Sequence, residues 1–249
     1  MSEWELPKNV ETQSIEGTGG GFAWESGVYD TTIKMVYLNQ SKTEAVSFNI
    51  ILEKNSGNFA ELRESFWVKS GKAKGNKTYY TKDGKDYPLP GYSVANSLCV
   101  AVTGDRLPKC MDSAEKKTVK VWNPDLKKEV NAERPVITSL IGKTVKVAVH
   151  QIIEDKQAKN EKGEYVSTGA SRTINQCKFF GNTEGKTAEE ITGKEAATRF
   201  DKWAQKNTGT VFDKSTAKKG GNSAAAIMGS ASANTPKDSL FKDATEPPF

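Results

Sequence analysis

The stretch Phe66–Lys82, FWVKSGKAKGNKTYYTK, holds five lysines, four aromatic residues and no acidic one. Cations beside flat rings suit a polyanion that also presents planar faces, the ammonium groups following its charge and the rings stacking on its bases. Lysines alone would hold duplex and single strand alike, in a salt-sensitive way. The interleaved aromatics turn the chemistry toward unpaired bases, each stacked base contributing about 1–3 kcal/mol whatever its identity.

Other chemistries find less support. His150 is the single histidine and stands in a strand-like segment without an adjacent Ser, Cys or acidic residue. Cys99, Cys110 and Cys177 are far apart and form no CxxC pair, so they read as reduced, mostly buried residues rather than zinc ligands. No P-loop, HExxH, GxSxG or paired carboxylate pattern occurs. The sequence therefore assigns no catalytic residue, no metal and no cofactor, and predicts a protein that is not an enzyme. The formal net charge of +5 fits a polyanionic partner without specifying one.

The elements that must carry the basic stretch read as β. VYDTTIKMVYL puts Ile33, Met35 and Tyr37 on one parity, and AVSFNIILE supplies a second strand after a turn at Asn39–Ser41. FAELRESFWVKS continues the alternation. On this third strand Leu62, Phe66 and Val68 share one face, and Arg63, Ser65, Trp67 and Lys69 share the other. Glycines then break the pattern and are expected to make the lysines a mobile flap. Tyr79 and Tyr80 open a short hairpin with an Asp83-Gly84 turn, and GYSVANSLCVAVTG is a helix stopped by Gly104.

Strand character returns at TVKVW, at KTVKVAVHQII and, across the polar loop KQAKNEKGEYVSTG, at SRTINQCKFF. Residues 187–207 read as a C-terminal helix, opened by a Thr187/Glu190 capping box and with Ala196, Phe200 and Trp203 on one side. The fold class is mainly β. Three strands, a helix and further strands match the order of an OB-fold, a five-stranded barrel in which a helix lies between strands three and four. Inserted hairpins, the C-terminal helix and a disordered tail complete it. Residues 1–26 read as a flexible arm, 27–207 as the binding domain, and 208–249 as a disordered linker ending in an interaction tip. No apolar run approaches the roughly 20 residues that span a bilayer, and MSEWELPKNVE has no leader-like pattern, so cytoplasm is the expected compartment.

The residues expected to contact a single strand are Arg63, Lys69, Lys72, Lys74 and Lys77 at phosphates, and Trp67, Tyr79 and Tyr80 at bases. With these in place the chain resembles a bacteriophage single-stranded DNA-binding protein. The resemblance rests on ESGVYDTTIKMVYL, on ESFWVKSGKAKGNKTYYTKDGK with the following PLPGY, and on the tip SLFKDATEPPF. It implies an OB-fold protein that coats replication, recombination and repair intermediates in the host cytoplasm. It also implies a tip, with Phe241, Pro247, Pro248 and Phe249, that recruits replication or recombination proteins. Pairing of two copies through an exposed strand is compatible with such a barrel. The rival expectation is a β-rich structural or assembly protein of a phage that binds no nucleic acid.

Overall fold

The computed structural model describes residues 23–55, 61–123, 126, 128–160 and 165–216. The first 22 residues of the expected arm lie outside them, as do the linker from 217 onward and the tip residues Phe241, Pro247, Pro248 and Phe249. Residues 23–26 pack against the sheet: Trp24 and Ser26 are buried, and Asn175 binds both the N–H and the C=O of Trp24.

Three strands open the fold: β1 (Gly27–Gln40), β2 (Val46–Lys54) and β3 (Leu62–Lys69). A small separate hairpin follows, β4 (Tyr79–Lys82) and β5 (Lys85–Pro88), leading into α1 (Pro90–Thr103) and the short α2 (Leu107–Met111). Two long hairpins come next, β6 (Ala114–Asn123) with β7 (Lys128–Ile137) and β8 (Thr144–Lys159) with β9 (Tyr165–Gly181). The described chain ends with α3 (Ala188–Thr192), α4 (Arg199–Asn207) and β10 (Val211–Asp213). No described helix is long and apolar enough to cross a membrane.

The protein is mainly β, built on an open antiparallel sheet in which β3, β2, β1, β8 and β9 are neighbours in that order. β10 alone joins it in parallel, beside residues 151–153 of β8, so the start of the segment expected to be a disordered linker from residue 208 is instead part of the sheet. No backbone ladder closes β3 onto β9 among the described residues, so the expected closed barrel is not formed by strand pairing. A side chain spans the gap instead. The Cys177 N–H donates to Glu64 Oε2 at 2.9 Å, and the Phe66 and Phe180 rings meet edge to face at 6.1 Å.

The core lies inside this curved sheet, under α1. Phe48, Ile50, Leu52, Leu62, Phe66, Val68, Val145, Val147, Val149 and Phe180 are buried there with Ala95, Leu98 and Cys99 of the helix. Pro90 occupies the first turn of α1, where its missing N–H costs nothing, and Gly104 ends the helix in the left-handed region at φ 79°.

Three further sequence expectations change. Ile33, Met35 and Tyr37 do not share a face, because the β1–β2 register shifts between Ile33 and Met35. This bulge leaves Ile33 and Val36 in the core and turns Met35 and Tyr37 outward. There they pack against the cluster of Val119, Val121 and Val136, because the β6–β7 hairpin folds over the outer face of the sheet. The polar segment expected to be a loop after Lys156 is instead largely strand, since β8 runs to Lys159 and β9 starts at Tyr165. A two-stranded ribbon projecting into solvent needs no apolar face, so periodicity does not announce it.

The single helix expected over 187–207 is two. The Thr187/Glu190 capping box opens α3 as expected, but Gly193 ends it and Lys194 takes φ 53°. Ala196 lies exposed in the break, whereas Phe200 is buried and Trp203 packs on His150 with ring centroids 5.0 Å apart.

Candidate nucleic-acid interface

The third strand places its side chains as its parity requires. Phe66 and Val68 point into the core, while Arg63, Ser65, Trp67 and Lys69 stand on the outer face. Arg63 is not an idle cation there. Its guanidinium donates to Glu129 Oε1 at 2.7 Å and to Glu61 Oε2 at 3.1 Å, and Glu61 also pairs with Lys34. Glu129 belongs to β7, so Arg63 ties the covering hairpin to the sheet. Ser65 donates to Asn49 Oδ1 at 2.6 Å, and Asn49 in turn binds Ser47, which leaves a fixed polar floor beside Trp67.

Trp67 is half-buried and its backbone is locked on two sides. It pairs with Ser47 across the β2 ladder, and the first turn of α1 presses on it at Gly91. A Cβ at Gly91 would lie 2.4 Å from the Trp67 carbonyl oxygen and 2.6 Å from its nitrogen, so only glycine permits this approach. Lys69, two residues on, has no carboxylate partner among the described residues.

The lysine-rich segment is a fixed turn rather than the expected flap. Residues 72–74 form one 3-10 turn ended by Gly75 in the left-handed region. The turn is pinned to the β1–β2 connection, where Lys72 N donates to the Thr43 carbonyl at 2.9 Å and Asn76 Nδ2 donates to Glu44 at 3.2 Å. A Cβ on Gly71 would lie 2.7 Å from the same Thr43 oxygen. Lys72 Nζ is 3.9 Å from Glu44, which offsets part of its charge. Lys77 carries its ammonium 5.1 Å over the Tyr79 ring.

The β4–β5 hairpin rises from the end of β3, where Ser70 N donates to the Lys77 carbonyl, and it leads straight into the Gly91 contact. Both turn residues have positive φ, 52° at Asp83 and 74° at Gly84, as a two-residue type I′ turn demands. That turn fixes the register, setting Tyr80 opposite Tyr87 and Lys82 opposite Lys85. Opposed and next-but-one residues share a face. Tyr80, Tyr87, Lys82 and Lys85 therefore lie on one side, with the two tyrosine rings stacked at 5.7 Å, while Tyr79 lies on the other. Tyr79 and Tyr80 thus do not make one stack. Sequence reasoning passed over Tyr87, Lys82 and Lys85, although the Asp-Gly turn already implied the pairing.

The titratable groups away from this face are held by packing. Burial pushes the Glu64 carboxyl up to about 7, against the lowering effect of the Cys177 N–H and of Lys178. Burial likewise pushes the Cys99 and Cys177 thiols up, so neither is a thiolate near neutral pH. His150, half-buried and stacked on the Trp203 and Phe212 rings, is held down at about 4 by desolvation, with the charge of Lys178 adding to it. All three cysteines are free and buried. No group of three or more His, Cys, Asp or Glu residues that could hold a metal occurs among the described residues. A cleft of about 560 Å³ between α1 and α3 is lined by Tyr92, Val100, Arg106, Glu189 and smaller residues.

Glu64 yields a pH prediction. Its carboxyl keeps its proton in the folded protein up to about pH 7 but releases it near pH 4.5 when unfolded. The folded state then holds more protons across that window, and this group's contribution to stability falls as pH rises through it. Glu64→Gln retains an acceptor for the Cys177 N–H and removes the titration. Denaturant melts at pH 5 and pH 8 are expected to show the variant gaining on the parent at the higher pH. An unchanged difference between the two proteins would show that Glu64 titrates as an exposed carboxylate.

No family model matches the sequence, and no curated protein matches it either.

Proposed function

We propose that the protein binds single-stranded DNA without sequence preference and coats it during phage replication, recombination and repair, in the manner of a bacteriophage single-stranded DNA-binding protein. The observation that carries this reading is the β4–β5 hairpin. It presents a stacked pair, Tyr80 and Tyr87, flanked by Lys82 and Lys85, and it stands at the end of the strand that bears Trp67 and Lys69. Rings for bases and ammonium groups for phosphates are what a single strand requires. Lys72, Lys74 and Lys77 extend the positive charge along the adjoining turn, and Tyr79 offers a ring on the opposite side of the hairpin.

The scaffold in this reading is OB-like. Its strand order, the helix between the third and the next barrel strand, and the Glu64–Cys177 bridge across the β3–β9 gap support that assignment. Recruitment of replication or recombination proteins by Phe241, Pro247, Pro248 and Phe249 belongs to the same proposal, as does action in the host cytoplasm.

Titrating tryptophan fluorescence with oligo-dT and with duplex DNA at two salt concentrations tests it. Preference for the single strand, with affinity falling as salt rises, is the expected result. Equal binding of duplex would remove the base-stacking component. A stable multimer that responds to neither DNA would point to the assembly role instead.

A further inference from the structure

The β6–β7 hairpin carries the most exposed tryptophan among the described residues, Trp122 at 62%. Its indole has no ring partner among them, and Leu126 at the hairpin tip is 58% exposed. One exposed apolar residue would by itself mean little. The surroundings of Trp122 are more specific. Along β6 the residues alternate, so that Val119 and Val121 face the sheet while Lys116, Thr118, Lys120 and Trp122 face solvent. Neither Lys116 nor Lys120 has a carboxylate partner among the described residues. Trp122 with Lys120 two residues away repeats what Tyr80 with Lys82, and Tyr87 with Lys85, present on the β4–β5 hairpin.

The hairpin is also held in place. Val119, Val121 and Val136 form a buried cluster against which Met35 and Tyr37 pack, Arg134 Nε donates to Asn39 at 2.8 Å, and Glu129 accepts from Arg63. Glu129 is the cross-strand neighbour of Trp122. The strand end that bears Trp122 is thus tied to β3 at Arg63, on the same outer face as Trp67 and four residues, roughly 13 Å, along the strand from it.

We infer that Trp122, with Lys116 and Lys120, is a second stacking post for single-stranded nucleic acid. A strand seated on Trp67 and the β4–β5 tyrosines continues over the outer face to Trp122. This inference rests on the single-strand-binding reading and adds the far end of the path to it. It makes the length of strand engaged depend on the β6–β7 hairpin.

The test is Trp122→Ala, with Trp122→Phe beside it, titrated at matched salt with oligo-dT of about 8 nucleotides, within the roughly 4–16 that one OB fold occupies, and of about 35, well beyond it. The exposure of Trp122 leaves the fold intact, and a thermal melt checks this. The expected result is an affinity for the long oligomer about 5-fold or more weaker in Trp122→Ala, little change for the short one, and recovery in Trp122→Phe. Parent-like binding of both lengths by Trp122→Ala would overturn the inference while leaving the single-strand reading standing. So would a shift to smaller species in sedimentation with DNA binding unchanged, which would make the tip a contact between copies. Failure of the parent itself to bind either oligomer would overturn both.

Discussion

Trp67→Ala is expected to weaken oligo-dT binding by about 1–3 kcal/mol, roughly 5- to 150-fold, and to reduce the fluorescence quenching that accompanies binding. The magnitude follows from how the residue is held. Its backbone is fixed by the β2 ladder on one side and by the Gly91 contact on the other, so little freedom is lost when a base settles on the ring. Its neighbours are Lys69, which has no carboxylate partner among the described residues, and a polar floor of Ser47, Asn49 and Ser65 whose hydrogen bonds are already made within the sheet. Arg63→Ala is the informative contrast. That guanidinium spends its donors on Glu61 and Glu129 at an exposed site, where ion pairs contribute at most about 1 kcal/mol. Its loss should change affinity far less than loss of the indole does. Parent-like affinity of Trp67→Ala at matched salt would remove the β3 face from the binding site.

The β3 face and the β4–β5 hairpin were legible because short-range rules determine them. Period-two alternation alone separates Phe66 from Trp67, and an Asp-Gly turn alone pairs Lys82 with Lys85. The Thr187/Glu190 capping box is equally local. What escaped is what depends on distant partners. The carboxylate that holds Arg63 lies 66 residues away in sequence, in a strand whose alternation is diluted by charge and interrupted by Pro135. The bulge in β1 leaves no mark in composition, yet it decides that Met35 and Tyr37 serve as the bed of the β6–β7 hairpin rather than as core. Trp122 is ambiguous in sequence for the same reason, since a Trp at a strand end becomes core or tip according to what covers it.

Glu190→Ala is expected to lower the stability of the folded chain by about 3 kcal/mol, because one buried carboxylate satisfies three backbone donors that would each lose about 1 kcal/mol or more. Glu190 Oε2 accepts from Thr187 N at 2.9 Å, and Oε1 accepts from Thr198 N at 2.8 Å and Arg199 N at 2.9 Å. A single side chain thereby caps α3 and fixes the start of α4 across the Gly193–Lys194 break. Burial by itself would raise its pKa, but the N–H groups of Thr187, Thr198 and Arg199 prevail and hold it at about 2. The folded state therefore binds fewer protons than the unfolded state between about pH 4.5 and 2. The stabilisation is present above that window and is lost as pH falls through it.

For a domain of this size the deficit at pH 7 corresponds to a melting temperature lower by about 6–12 °C. Parent and variant should converge as the pH approaches 2. Binding is the second readout. α4 lays Phe200 against Gly181 and Trp203 against His150, and neither contact involves Trp67 or the β4–β5 tyrosines. Oligo-dT affinity measured well below the melting temperature should accordingly match the parent's, separating the residues that hold the scaffold from those that meet the strand. Melts of parent and variant that coincide at pH 7 would show that water replaces the carboxylate at all three N–H groups without cost.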